Sequence, residues 1–148
     1  MHVQFAPTDS RVDRPWYAWV GVALAAATGL LAIPVGWLFI QDPSGASMGL
    51  PRGWIEATPF GSYLVPGFYL LLVNGFGMLG LAALGIARHW LAPWLMGALG
   101  VGMVIWIVVQ IAVMPETMFL TWIFLGVGFA LGFVALFWLR RTGQLSLG

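Results

Sequence analysis

The chain has 148 residues, of which 61% are hydrophobic and 7% are charged, and its formal net charge is +1. A single domain of this length cannot hide so much apolar surface from water, so the composition excludes an ordinary soluble protein. The small net charge excludes a polyanion-binding surface of the kind that holds nucleic acid. We therefore predict one membrane domain over residues 1–148, with the lipid bilayer as its surroundings.

The missing residue types narrow the chemistry that the chain can support. It contains no Cys and no Lys, so it forms neither a disulfide nor a thiolate metal site, and it has no amine for a Schiff base. Of the two His residues, His2 lies in the N-terminal arm, and His89 lies at a turn, where we expect an interfacial residue and, as the alternative, a ligand. We predict no metal, no cofactor and no catalytic residue.

Four stretches of the chain are nearly free of charge and long enough to cross a bilayer, which takes about 20 helical residues. Short connections follow the second and the third, so these helices run antiparallel to their neighbours. We predict an all-α fold in which four transmembrane helices form an antiparallel bundle. No span has an ionisable residue in its interior, which argues against proton-coupled transport. The predicted spans are residues 16–40, 63–87, 90–113 and 118–139.

The basic residues indicate how the bundle is oriented. Five of the six flank the spans on one side, which the positive-inside rule assigns to the cytoplasm. Residues 1–15 then form a cytoplasmic arm, residues 140–148 a cytoplasmic tail, and residues 41–62 an extracytoplasmic cap. The use of Arg without Lys favours a bacterial source and hence the inner membrane. The five residues are Arg11, Arg14, Arg88, Arg140 and Arg141.

Aromatic residues at span ends are typical of the level of the lipid headgroups. We expect their rings to lie at the membrane surface. On the cytoplasmic side they are Trp16, Tyr17, Trp19, Trp90, Trp94 and Trp138.

Small residues recur along the spans at helical spacing. In lipid no hydrophobic force drives helices together, so they depend on close packing of small residues and on polar pairs. Five small residues of the first span follow spacings of four, four, three and four, and so share one stripe with a Thr beside it. The third span offers Ala98 and Gly102, and in the second Gly67, Asn74 and Gly85 share a face. The predicted packing residues are Gly21, Ala25, Thr28, Gly29, Ala32, Gly36, Gly128 and Gly132.

The connection between the first two spans is longer than a plain loop usually is. Its 22 residues, 41–62, read QDPSGASMGLPRGWIEATPFGS, and Pro and Gly break it into turns. We expect Asp42 to bond its own backbone in a turn and PRGWIEA to form a helical turn. Thr58 and Pro59 are expected to start the second helix. An ordered cap and a solvated linker both remain open.

The stretch GLPRGWIEATPFGSYLVPGFYLLLVNGFG, residues 49–77, resembles a segment of small four-helix integral membrane proteins of bacteria. In that family a loop with Leu-Pro and Trp leads into Ser/Thr-Pro-Phe, Tyr and Pro-Gly at the head of the second helix. The resemblance covers about a fifth of the chain and implies the same topology. It implies no activity, because none is assigned to the family.

Asn74 lies near the middle of the second span, where an unpaired amide costs several kcal/mol. We expect its side chain to face the bundle interior and to bond Thr28, which lies at the same depth, or a carbonyl of the first helix. A role in binding and exposure to a water-filled crevice are the alternatives.

More polar residues lie toward the outer ends of the spans. Gln110 either reaches interfacial water and loop backbone or belongs to a pocket that opens outward beneath the cap. Glu116 is expected at the N-terminus of the fourth helix, where the helix dipole favours a carboxylate. Together with Asn74, the predicted binding residues are Tyr69, Gln110, Thr121, Glu116 and Glu56.

Three functions follow from these patterns. The leading hypothesis is a protein that works by binding, as a subunit, scaffold or accessory factor of another membrane protein or as a homo-oligomer, through its glycine-rich helix faces. The second is a carrier or pore for a neutral or lipidic small molecule, with a portal under the cap. The third is an enzyme at the outer surface in which Glu56 and Glu116 act as acid and base.

Overall fold

The computed structural model describes residues 2–3, 11–114 and 116–146. Residues 1 and 4–10 of the predicted arm, Pro115, and residues 147–148 of the predicted tail lie outside the described residues. Within the described residues four long apolar helices pack together, as predicted, and each is long and apolar enough to span a membrane. The long helices are α1 (Ala18–Gln41), α3 (Leu64–Ile86), α4 (Ala92–Val113) and α5 (Phe119–Arg141); a short α2 (Arg52–Glu56) lies between α1 and α3, and strand β1 (His2–Val3) pairs with β2 (Leu145–Ser146).

Helix α1 packs along the length of α3 through its small residues. A Cβ added to Gly36 would lie 2.6 Å from the amide nitrogen of Leu71, and one added to Gly29 would lie 2.9 Å from the carbonyl oxygen of Gly75. Distances this short mean that the two backbones are in contact, which a larger residue would prevent. The small residues of α1 and the adjacent Thr are all buried: Gly21, Ala25, Thr28, Gly29, Ala32 and Gly36.

Helices α4 and α5 form the second close pair. A Cβ added to Gly100 would lie 2.9 Å from the carbonyl oxygen of Gly128 and 2.9 Å from the amide nitrogen of Gly132, so both glycines of α5 contribute backbone to this contact. The prediction that Ala98 is a packing residue of α4 is wrong, whereas Gly102 lies against Tyr69 of α3. Ala98 is exposed, and Gly100, which lies between the two in sequence, makes the contact.

The middle of α3 departs from regular α-helix. Residues Leu70–Gly77 form a π-helical stretch, in which an N–H bonds the carbonyl five residues back instead of four. A Cβ added to Gly75 would lie 2.8 Å from the side chain of Ile33 in α1. The wider turns therefore bring Gly75 against α1 between Gly67 and Gly85, at the place predicted for Asn74.

The outer surface of the bundle is apolar. Each long helix exposes large apolar side chains by half or more, among them Leu30, Leu72, Val101 and Phe133. In water a surface of this extent would lead to association, whereas in a bilayer it faces acyl chains. The length, composition and outer surface of the four helices make this a multi-pass membrane protein.

The N-terminal arm closes one end of the bundle, where β1 pairs antiparallel with β2. The amide of Val12 donates to the carbonyl oxygen of Arg88 at 2.8 Å, and the Val12 side chain belongs to the main core. Trp138 is fully buried and donates from its indole N–H to the carbonyl oxygen of Asp13 at 2.7 Å. Trp138 is therefore enclosed by the protein, and its position at headgroup level stays a prediction.

The connection between α1 and α3 packs on the other end of the bundle as a cap. Helix α2 forms within PRGWIEA, as predicted. Its Ile55 is buried with Phe39 and Tyr63 in a hydrophobic cluster separate from the main core. The amide of Tyr63 donates to the carbonyl oxygen of Pro43 at 2.8 Å. This bond joins the two ends of the cap and closes the loop over the bundle.

The sequence predicted that the second long helix starts at Thr58 and Pro59. This prediction is wrong. The Thr58 hydroxyl donates to the carbonyl oxygen of Ile55 at 2.7 Å and so closes the end of α2. Gly61 then takes a φ of 63°, a left-handed conformation that ends helical structure. Helix α3 consequently begins only at Leu64.

Replacing Gly36 by Ala tests the contact between α1 and α3. The new Cβ would meet backbone atoms of Leu71 and Gly67, which cannot rotate away, so we expect the free energy of unfolding to fall by about 1–3 kcal/mol. The matched control is Gly80→Ala in α3, where a Cβ would meet no described atom within 4 Å. Because Ala is the better helix former by about 1 kcal/mol, this control should be neutral or stabilising. The free energies of unfolding of both variants are measured by unfolding the detergent-solubilised protein with sodium dodecyl sulfate, followed by circular dichroism. Equal changes in Gly36→Ala and Gly80→Ala would contradict the contact.

Candidate binding site beneath the cap

A cavity of about 130 Å³ lies between the cap and the adjoining ends of α1, α3 and α4. Most of its wall is apolar, and Gln110 and Glu116 bring an amide and a carboxylate to it. A mostly apolar pocket with a few polar groups is the usual form of a site for a small molecule. The aromatic residues of the wall are Phe39, Trp54, Phe60, Tyr63 and Trp106.

Asp42 holds the beginning of the cap. Its carboxylate accepts hydrogen bonds from the Ser44 hydroxyl at 2.6 Å, the Ser47 amide at 2.8 Å and the Ser44 amide at 3.2 Å. These bonds, led by that of the Ser44 hydroxyl, lower the pKa of Asp42 to about 2. The carboxylate is therefore ionised at neutral pH and keeps the turn that the sequence predicted.

Tyr63 lines the cavity from the cap side. Its ring stacks on Phe39 with 4.7 Å between the ring centroids, and Gly45 leaves room for it, since a Cβ there would lie 2.8 Å from the ring. The Tyr63 hydroxyl is buried and has no hydrogen-bond partner among the described residues. Burial raises the pKa of Tyr63 above its ordinary value, so this hydroxyl remains a protonated donor.

Trp106 of α4 forms the inner wall. Its indole stacks on the ring of Tyr69 with 4.2 Å between centroids. The ring centroid of Phe60 in the cap lies 6.0 Å from that of Trp106. The Tyr69 hydroxyl donates to the carbonyl oxygen of Gly102 at 3.2 Å. Tyr69 thus fixes the position of Trp106 without itself lining the cavity.

The structure brings together two of the predicted binding residues, Gln110 and Glu116, at the cavity. Thr121 is buried in α5 and Glu56 is exposed on α2, and neither lines it. Glu116 precedes the first turn of α5, which begins at Phe119. Contrary to the prediction, it is therefore not placed to interact with the helix dipole.

Asn74 lies outside this cavity. Its side chain is buried, and its Oδ1 has no hydrogen-bond partner among the described residues. The predicted bond from Thr28 to this oxygen does not form. The prediction assumed a regular α-helix, whereas the π-helical stretch of α3 turns Gly75 toward α1 in its place.

Comparison with protein-family models, with curated proteins and with solved structures finds no match to this chain. The resemblance of residues 49–77 to small bacterial membrane proteins therefore stays a prediction. The site is interpreted from its own residues.

The chemistry available at the cavity is that of binding. Among the described lining residues, Glu116 is the only carboxylate, so Glu56 is not there to form the acid and base pair. The described part of the chain also contains no cluster of three or more His, Cys, Asp or Glu side chains that could hold a metal ion. Aromatic faces, one amide and one carboxylate can hold and orient a largely apolar molecule.

Two Tyr→Phe variants test whether the Tyr63 hydroxyl is unpaired. Losing the hydrogen bond of Tyr69 should lower the free energy of unfolding by about 0.5–1.5 kcal/mol, whereas removing the unpaired hydroxyl of Tyr63 should leave it unchanged or raise it. Thermal unfolding of the delipidated protein in detergent compares Tyr63→Phe with Tyr69→Phe. A clear loss of stability in Tyr63→Phe would mean that its hydroxyl has a partner in the folded protein.

Proposed function

We propose that this protein acts by binding a lipidic or other largely apolar small molecule beneath the cap. The observation that carries the proposal is the cavity, with its aromatic wall and the polar groups of Gln110 and Glu116. Apolar cavities of comparable size, about 150 Å³, bind small apolar molecules in other proteins. The polar groups of Gln110 and Glu116 would orient such a molecule.

The position of the cavity also supports this proposal. It lies at the end of the bundle, where exposed apolar side chains of α4 border it: Val109 is 39% exposed and is also part of the wall. An exposed apolar residue in the wall would give a lipidic molecule a route into the cavity from the membrane.

The leading hypothesis from the sequence, association with another membrane protein or with a second copy, was based on the glycine-rich helix faces and stays a prediction. The glycines of α1 are in contact with α3 and α4, and Gly128 is in contact with α4. These glycines are engaged within the bundle, whereas a Cβ added to Gly132 would meet no described atom within 4 Å. Catalysis by Glu56 and Glu116 is favoured by no contact at the cavity.

A pair of Val→Phe variants tests the proposal. Val109 lines the cavity, and the adjacent Val108 is exposed on α4 without lining it. Phenylalanine at position 109 should obstruct the cavity, whereas at position 108 it should only extend the lipid-facing surface. Native mass spectrometry of protein purified in mild detergent should detect a retained lipidic molecule on the unmodified protein and on Val108→Phe, and little or none on Val109→Phe. Equal retention by the two variants would contradict a site in the cavity.

For the orientation, we propose that the arm and the tail are cytoplasmic and the cap extracytoplasmic. Five of the six Arg residues belong to the end that carries β1 and β2, and Arg52 lies in the cap. The positive-inside rule assigns the Arg-rich end to the cytoplasm, which in a bacterium means the inner side of the inner membrane.

Two single-cysteine variants test this orientation, since the chain has no cysteine of its own. Ala57 and Ala87 are both exposed residues that follow a helix, with closely similar backbone angles, at opposite ends of the bundle. A membrane-impermeant maleimide applied to intact cells should label Ala57→Cys and should label Ala87→Cys only after the cells are opened. The reverse pattern would overturn the orientation.

A further inference from the structure

An open, polar cleft of about 410 Å³ lies at the arm end of the bundle, opposite the cap. It is formed by the arm, the beginning of α1, the turn after α3 and the end of α5. Three Arg and one Asp bring a net positive charge to its wall. The described lining residues are Asp13, Arg14, Pro15, Trp19, Arg88 and Arg141.

Arg14 is held firmly in this wall. Its Nη1 donates to the carbonyl oxygens of Gly85 at 3.0 Å and Ile86 at 2.7 Å, at the C-terminus of α3. Its guanidinium also lies over the indole of Trp19, 3.9 Å from the ring centroid. Carbonyls at a helix C-terminus favour a cation, and they carry no full charge that would cancel the charge of Arg14.

Arg88 occupies a position that usually carries glycine. The His89 amide donates to the carbonyl oxygen of Leu84 and the Arg88 amide to that of Gly85, which is the Schellman pattern at a helix end. Arg88 has a φ of 59° there, which a non-glycine residue rarely adopts. Its side chain donates to the carbonyl oxygen of Val12 at 3.2 Å and pairs with Asp13 at 3.3 Å. This pair neutralises the one carboxylate among the described lining residues.

Arg141 completes the cleft from α5. It is exposed, and within the described residues it has no hydrogen-bond or ion-pair partner. With Arg88 paired to Asp13, the charges of Arg14 and Arg141 have no counterion among the residues that the structure describes. The neighbouring Arg140 is also exposed but does not line the cleft. The positive-inside rule explains why basic residues lie on one side of the membrane. It does not explain why Arg14 and Arg141 line the same cleft.

We propose that this cleft binds the phosphate group of an anionic amphiphile. Guanidinium groups match the oxygens of phosphate in planar, paired hydrogen bonds, and basic pockets between transmembrane helices are known to hold anionic lipid headgroups. Trp19 is half exposed beside the cleft, as expected for a ring at headgroup level. A free phosphate ion would make the same contacts as a lipid headgroup. The experiment below decides which of the two supplies the phosphate group.

The test uses the full chain in detergent micelles and a matched pair of variants, Arg141→Gln and Arg140→Gln. Each sample is titrated with phosphatidylglycerol, with phosphatidylcholine of the same acyl chains, and with inorganic phosphate, while the thermal unfolding midpoint and the bound lipid are followed, the latter by native mass spectrometry. We expect phosphatidylglycerol to raise the midpoint of the unmodified protein and of Arg140→Gln. Arg141→Gln should bind it about five-fold more weakly, the effect of one basic residue near a lipid headgroup.

The outcomes separate the two sources of phosphate and can contradict the site. Stabilisation by phosphatidylglycerol but not by inorganic phosphate would identify a lipid headgroup, and equal stabilisation by both would identify a free anion at the same site. Equal stabilisation by phosphatidylglycerol and phosphatidylcholine would overturn the proposal. So would equal losses of affinity in Arg140→Gln and Arg141→Gln, since a diffuse charge effect would then explain the binding.

Discussion

Direct contact between helix backbones is the constraint on which the rest of this structure depends. Lipid supplies no hydrophobic force between transmembrane helices, so they associate only where small residues let the backbones approach. Gly29 and Gly36 of α1 make this approach to α3, and Gly100 and Gly128 make it between α4 and α5. The two pairs leave the large apolar side chains on the outside, in contact with lipid. They also set the positions of the helix ends on which the cap and the arm rest.

The two ends of the bundle are built differently and suit different ligands. At one end the cap covers a mostly apolar cavity, in which an aromatic wall favours a largely apolar molecule. At the other end the arm inserts Val12 into the core, and the residues after it help to form a cleft with excess positive charge. The middle of the bundle contains the π-helical stretch of α3, where the buried amide oxygen of Asn74 has no hydrogen-bond partner among the described residues. The apolar cavity and the basic cleft lie at opposite ends of the bundle, and both proposals name membrane components as ligands.

Sequence patterns predicted the four helices and the small-residue stripe of α1, because both depend on local periodicity and on the length needed to cross lipid. They did not predict the π-helical stretch, since a fixed rotation per residue cannot reveal a change in hydrogen-bond register, and the partner of Asn74 was predicted wrongly for this reason. Gly100 was missed because the partner helix, and not the sequence of α4, decides which small residue makes the contact.

At the cavity, Gln110 and Glu116 were predicted from depth alone. Tyr63 and Trp106 were not predicted as cavity residues, although the aromatic residues near the cap could have indicated them. The contacts of Val12 and Trp138 at the arm join residues far apart in sequence, so they leave no local signal.

The backbone contact between α1 and α3 can be observed most directly by nuclear magnetic resonance of the labelled protein in lipid nanodiscs or micelles. A Cβ on Gly36 would lie 2.6 Å from the Leu71 amide nitrogen, so the Gly36 α-protons must lie close to the Leu71 amide proton. We predict a strong nuclear Overhauser effect between them and none between the Gly36 α-protons and the acyl chains. A Gly36 resonance that shows contacts to acyl chains and none to Leu71 would contradict the glycine-mediated bundle.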